Sequence, residues 1–188
     1  MKGKLIVISG PSGTGKTSIV KYLIKQKPCL TFSISACSRS KRVKEQEGRD
    51  YYFLTVKDFK KKIEQDEFLE WEEVYENQYY GTLKEEINRI WDLKQHVIFD
   101  IDVFGALSIK KKFPKNTLTI FIMPPSINVL KNRLSLRGTE TKKSTAYRIE
   151  KAKKEIYQSN KFDFVVLNNN LKEACAESLV KINEFIQK

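Results

Sequence analysis

Near the start of the chain the apolar positions change period. Residues 4–9 (KLIVIS) form a β-branched run that reads as a buried strand, and after a glycine-rich stretch Ile19, Val20, Leu23 and Ile24 recur at helical spacing until Pro28. The predicted order is strand, loop, helix. Similar apolar runs return at 97–101, 118–122 and 164–167, each followed by a stretch with apolar positions every three or four residues. Runs without polar alternation are buried on both faces, so a parallel sheet covered by helices is predicted. The last helix is the clearest, with Leu171, Cys175, Leu179, Ile182 and Ile186 on one stripe.

Between residues 30 and 95 the pattern differs. Leu30, Phe32 and Ile34 alternate with Thr31, Ser33 and Ser35, and tyrosines are frequent, which predicts a small antiparallel insert. Two capping boxes, Thr55 with Asp58 and Thr82 with Glu85, predict helices beginning near residues 56 and 83.

Composition narrows the class. A chain of 188 residues, 40% hydrophobic and 11% aromatic, can bury one sizeable core, and no repeat or Pro/Gly/Ser linker divides it. The apolar runs fall far short of the ~20 residues that span a bilayer, and the first strand starts too early for a signal peptide. A cytoplasmic location without a membrane partner is expected, and no obligate protein partner is evident. Cys29, Cys37 and Cys175 lack CxxC spacing and cannot build a zinc site with the single His96, so all four read as structural. The formal charge of +12 suits either a polyanionic partner or a lysine-rich solvated surface.

The segment Gly10-Pro11-Ser12-Gly13-Thr14-Gly15-Lys16-Thr17 fits G-x-x-x-x-G-K-[ST] and lies between a predicted strand and helix, as a phosphate-binding P-loop requires. Its glycines let successive N–H groups turn toward phosphate oxygens, Lys16 adds charge at the β/γ bridge, and Thr17 can ligate Mg²⁺. A second metal ligand is expected at the end of an apolar strand, where Asp100 follows residues 97–99; Asp102 would face the same side if the strand continued. Arg39 and Arg42, with Tyr51 beyond, suit a phosphate monoester, although an exposed basic loop would look the same. Residues 131–154 hold nine Lys or Arg against two acids, including Arg133, Arg137 and Arg148.

Taken in order, GPSGTGKT, FSISACSRSKR, EGRDYYF, EFLEW, YYGT, DID and PPSINVLKNRLSLRGTE resemble the guanylate kinase family over nearly the whole chain. The resemblance implies an α/β P-loop NTPase fold with a five-stranded parallel sheet, a GMP-binding insert at 36–90 and a mobile lid at 126–157, the core being 1–35, 91–125 and 158–188. It implies transfer of the γ-phosphoryl group of ATP to GMP with Mg²⁺ bound alongside ATP. Carried over by position, Ser35, Arg39, Arg42, Tyr51 and Tyr80 would hold the GMP phosphate, and Glu70, Thr82 and Asp102 the guanine. Residues Gly10, Pro11, Ser12, Gly13, Thr14, Gly15, Lys16, Thr17 and Ser18 would hold the ATP phosphates, with Asn168 near the adenine and Thr17 and Asp100 on the metal. The catalytic cations would be Lys16, Arg39, Arg42, Arg133, Arg137 and Arg148. Thr17-Ser18, Thr82 and Lys41 depart from the commonest family residues, but each keeps the needed hydroxyl or lies beside the ligand.

Three other readings stay open at this level: a binding-only module of the same fold, a P-loop kinase with another acceptor, and a nucleic-acid-binding ATPase. The intact P-loop and Asp100 argue against the first, Glu70 and Thr82 against the second. Against the third, no stacking-aromatic repeat or known nucleic-acid reader motif is present, so no nucleic-acid partner is expected.

Overall fold

The computed structural model describes residues 3–136 and 142–187. Its elements in chain order begin with β1 (Leu5–Ser9), α1 (Lys16–Gln26), β2 (Leu30–Phe32), β3 (Ala36–Cys37), β4 (Tyr52–Phe53), α2 (Val56–Glu64) and β5 (Phe68–Tyr75). There follow β6 (Gln78–Leu83), α3 (Lys84–Asp92), β7 (His96–Asp100), α4 (Val103–Lys112) and β8 (Thr117–Met123). The chain closes with α5 (Ile127–Ser135), α6 (Lys142–Tyr157), β9 (Phe164–Leu167) and α7 (Leu171–Ile186).

Five strands in the order β2-β7-β1-β8-β9 form an all-parallel sheet. Successive residues of β1 point to opposite faces, and both faces are dry. Ile6 and Ile8 pack with Ile19 and Leu23 of α1 and Cys175 and Ile182 of α7; Leu5 and Val7 pack with Ile87 and Ile90 of α3 and Val103 and Ile109 of α4. Each fully buried aliphatic side chain contributes about 1.5–3 kcal/mol, so β1 anchors the loop that follows it. No helix among the described residues is long and apolar enough to cross a membrane.

A second sheet, β4-β3-β6-β5, closes over a smaller core in which Phe59 of α2 stacks on Phe68 at 4.3 Å between ring centroids. Three sequence expectations change here. Leu30 to Phe32 alternates, yet it pairs in parallel with β7 as an edge of the main sheet, because an edge strand with a partly exposed face shows the alternation of a two-sided one. The second sheet is mixed, since β3 and β4 run parallel. Thr55 does cap α2, accepting the Asp58 N–H at 3.0 Å, but Thr82 caps nothing: α3 begins at Lys84, and the Thr82 hydroxyl is held by Glu70 across the β5–β6 pair.

Candidate active site

The P-loop leaves β1 and turns into α1 through Gly15, whose φ of 96° lies in the left-handed region. A side chain there would be strained, and its Cβ would also stand 2.5 Å from Asn168 Nδ2. The Asn168 amide donates to the Thr14 carbonyl at 2.6 Å from a position only 3% exposed, so it braces the loop from beneath. Thr14 likewise turns its hydroxyl inward to the Pro11 carbonyl, Gly13 packs under Leu130 and Leu134, and Ser18 is exposed on the first turn of α1. Lys16 Nζ donates to the carbonyls of Gly10 and Pro11, at 2.8 and 3.2 Å, which curls the ammonium over the loop.

The Thr17 hydroxyl donates to Asp100 Oδ2 at 2.5 Å. These two oxygens come from the first turn of α1 and the last residue of β7, and adjacent parallel strands bring them together. A hydroxyl and a carboxylate are the hard donors that suit Mg²⁺, which keeps several waters and takes few protein ligands. Among the described residues no cluster of three or more His, Cys, Asp or Glu could hold a metal ion by itself. Asp102 does not continue the strand with Asp100. It caps α4, accepting the Phe104 and Gly105 N–H groups at 2.8 and 3.1 Å.

One cleft of about 300 Å³ joins this end to the second sheet, lined by Gly10, Ser12, Lys16, Thr17 and Asp100 on one side and Ser35, Tyr51, Glu70, Tyr80 and Asp102 on the other. Glu70 is 5% exposed and accepts the Thr82 hydroxyl at 2.6 Å. Burial pushes its carboxyl up to about 7, and the nearby Asp102 charge pushes the same way against the Thr82 bond. A carboxyl placed there exchanges its proton within the neutral range, where an ordinary glutamate is fully ionised. Its other oxygen lies where a Cβ on Gly105 would be 2.6 Å away, so the close approach of Glu70 to α4 needs glycine there.

Arg39 and Arg42 do not line the cleft. Arg39 donates to both oxygens of Glu45 at 2.7 and 2.6 Å and to the Tyr80 hydroxyl at 3.1 Å, with its guanidinium 5.0 Å from the Tyr51 ring centroid. The Arg39 bond draws the Glu45 carboxyl down to about 2. Burial pushes the Tyr51 hydroxyl up to about 12, leaving it a donor at neutral pH. Arg42 is exposed, and its N–H donates to Glu45. From α5, Arg133 donates to the Asn168 carbonyl at 3.0 Å, and from α6, Arg148 donates to Ser12 Oγ at 3.1 Å and lines the cleft. Arg137 lies outside the described residues.

Sequence reading passed over Lys151 and Glu155, which line the cleft from α6. Their spacing from Arg148, three and seven residues, is the helical signal that could have found them. Lys151 reaches Glu72 at 3.5 Å and Glu155 at 3.9 Å, while burial and the Asp102 charge push the Glu72 carboxyl up to about 8. Glu45 and Gly105 were also missed, because only the folded chain brings them to their partners. The remaining candidates are structural: His96 Nδ1 accepts the Lys4 N–H at 3.0 Å, burial lowers the pKa of that imidazole, and burial pushes the Cys37 thiol up to about 11.

The chain matches the guanylate kinase family model across residues 2–188. A guanylate kinase of Bacteroides thetaiotaomicron is 47% identical over 188 residues, spanning all of this chain and 92% of the relative. One from Porphyromonas gingivalis is 49% identical over 187 residues, 98% of this chain and 99% of the relative. Among solved structures, guanylate kinase from Anaplasma phagocytophilum superposes with a TM-score of 0.80 at 25% identity, covering 99% of this chain and 87% of that one. A shikimate kinase from Bacteroides thetaiotaomicron, at 13% identity and a TM-score of 0.52 over 98% and 99% of the two chains, shares the P-loop kinase fold alone. Match over the full length, together with a P-loop and a second sheet facing one cleft, shows that the chain belongs to the guanylate kinase family, the enzymes that transfer phosphate from ATP to GMP.

Proposed function

We propose that the cleft phosphorylates GMP with Mg-ATP by holding two anions in line, the P-loop end taking ATP and the second-sheet end taking GMP. The observation that carries this reading is that one cleft is lined both by the phosphate-binding loop and by the buried carboxylate of Glu70. In this reading residues 36–90 are the acceptor insert, 126–157 the lid, and the rest the core.

The chemistry asks little of proton transfer. GMP's phosphate is already anionic at neutral pH, so no side chain has to act as a base, and the barrier is lowered by placement and by cations around the migrating group. Lys16 exchanges its loop carbonyls for the β/γ-phosphates. Thr17 and Asp100 would hold Mg²⁺, which when bound would neutralise phosphate charge. On the acceptor side Ser35, Tyr51 and Tyr80 donate to the GMP phosphate. Arg39, oriented by Glu45, supplies charge behind the two tyrosines, and Arg42 turns in from the surface. Arg133, Arg137 and Arg148 close over the transferring group as lid cations, with Arg148 beginning from its contact on the P-loop serine.

Base choice follows from hydrogen-bond polarity. Ionised Glu70 accepts from guanine N1–H and the 2-amino group, whereas adenine presents a lone pair at N1 and leaves the carboxylate unpaired. Thr82 fixes one oxygen of Glu70 through its hydroxyl, and Asp102 completes the pocket from the α4 cap. A coupled assay of ADP formation with Mg-ATP and GMP, AMP, CMP or UMP tests the reading. Turnover confined to GMP is expected; ligand binding without turnover, or faster turnover with another base, would overturn it.

A further inference from the structure

Glu86 is a carboxylate on α3, 3% exposed, that neither lines the cleft nor belongs to any motif. All of its acceptor capacity is engaged. Oε1 accepts the Ile34 N–H and Arg89 Nη2, both at 2.9 Å, while Oε2 accepts the Tyr52 hydroxyl at 3.1 Å and Arg89 Nε at 2.9 Å. A buried carboxylate is tolerated when paired and hydrogen-bonded in this way.

Its partners sit where the chain crosses between the two sheets. The Ser33 N–H still bonds to the Ile98 carbonyl of the main sheet, and by Ala36 the chain has joined the second sheet. Ile34 lies in the crossing. The return crossing is α3 itself, between β6 and β7. Glu86 thus ties the outgoing and returning segments together, and through Tyr52 it also grips β4.

Each tie lies one residue from the cleft. Ser35 follows Ile34, and its carbonyl accepts the Tyr52 N–H at 2.9 Å; Tyr51 precedes Tyr52. Ser35 and Tyr51 both line the cleft. We infer that Glu86 is a positioning residue for the acceptor phosphate, fixing Ser35 and Tyr51 through Ile34 and Tyr52. The inference rests on the assignment of Ser35 and Tyr51 to the GMP phosphate. The polar partners of Glu86 are Ile34, Tyr52 and Arg89, none of them in the P-loop, so its influence falls on GMP and leaves ATP alone.

Glu86→Gln replaces two acceptor sites with an N–H₂ group that faces donors on either side, which breaks the network without removing volume. Tyr52→Phe removes a single bond and keeps the packing. Steady-state kinetics of both variants, with Ki for guanosine as a competitor of GMP and thermal melts, test the inference. KM for GMP should rise about tenfold in Glu86→Gln and about threefold in Tyr52→Phe, while kcat, KM for ATP and the guanosine Ki stay within twofold. Unchanged KM for GMP in both variants overturns it, as does a parallel rise in KM for ATP or in the guanosine Ki. If Glu86→Gln does not fold, Tyr52→Phe decides by the same criteria. Tyr51→Phe separates the two claims: a raised KM for GMP there with none in the other variants sinks only the role of Glu86. An unchanged KM in Tyr51→Phe sinks the phosphate assignment and this inference with it.

Discussion

The P-loop end of the cleft and the second-sheet end are built by different means. At the P-loop end a glycine-rich loop, a motif that offers phosphate mainly backbone N–H groups, runs between a fully buried strand and a helix that shares its core. The second-sheet end presents side chains, and each is set by another: Glu70 by Thr82 and the space at Gly105, Arg39 by Glu45 and Tyr80, Tyr51 by its place beside Tyr52. A backbone site recognises phosphate in any nucleotide. A side-chain site can choose a base, at the cost of depending on residues far apart in sequence.

The largest expected effect lies at the backbone end, where one side chain carries the charge. Lys16→Ala should lower kcat by a thousandfold or more, of the order expected when ~4 kcal/mol of electrostatic stabilisation is lost, with little change in melting temperature. Near wild-type kcat would show that this loop is not the donor site.

Gly105→Ala probes the other end. Its Cβ would meet Glu70 Oε2 at 2.6 Å, so the carboxylate must shift, while the added methyl favours the helix by about 0.5–1 kcal/mol. The expected outcome is a ten- to hundredfold fall in kcat/KM for GMP with KM for ATP unchanged and stability nearly so. Equal loss for both substrates would show that the two ends are not independent.

A smaller effect comes from the proton on Glu70. Its carboxyl is pushed up to about 7, and the guanine edge needs the ionised form, so GMP binding releases a proton below that pH. The ionised fraction falls about tenfold between pH 8 and 6, and KM for GMP should rise by a similar factor. GMP's own phosphate, with a second pKa near 6, adds about twofold. Only that residue of the pH dependence should survive in Glu70→Gln.

How far the sequence reveals each end follows from the same contrast. The P-loop is contiguous, its motif is defined by glycine and lysine at fixed offsets, and its place between β1 and α1 was legible. So were four strands of the main sheet, β1, β7, β8 and β9, whose apolar runs need no partner to be recognised, whereas β2 was read into the insert. Thr82 was misread as a cap because T-x-x-E also occurs where a strand runs into a helix, and only pairing with β5 reveals that Glu70 takes the hydroxyl. Asn168 carries no sign that its amide faces the Thr14 carbonyl. Glu45, Gly105 and Glu86 act through contacts between distant segments or across a loop, which periodicity does not encode.

The smallest effect separates folding of the second sheet from its chemistry. Thr55 caps α2 away from the cleft, so Thr55→Ala should cost about 1 kcal/mol of stability in denaturant melts and leave the GMP-to-AMP ratio of kcat/KM untouched. A changed ratio would mean that selectivity reports the stability of the sheet and not the placement of Glu70.

The claim that a buried carboxylate selects the base is tested most directly by kcat/KM for GMP and AMP in the wild type and in Glu70→Gln. The account predicts at least a thousandfold preference for GMP in the wild type, a ten- to thousandfold loss of GMP efficiency in the variant, and little change for AMP. A variant that keeps the full preference would contradict it.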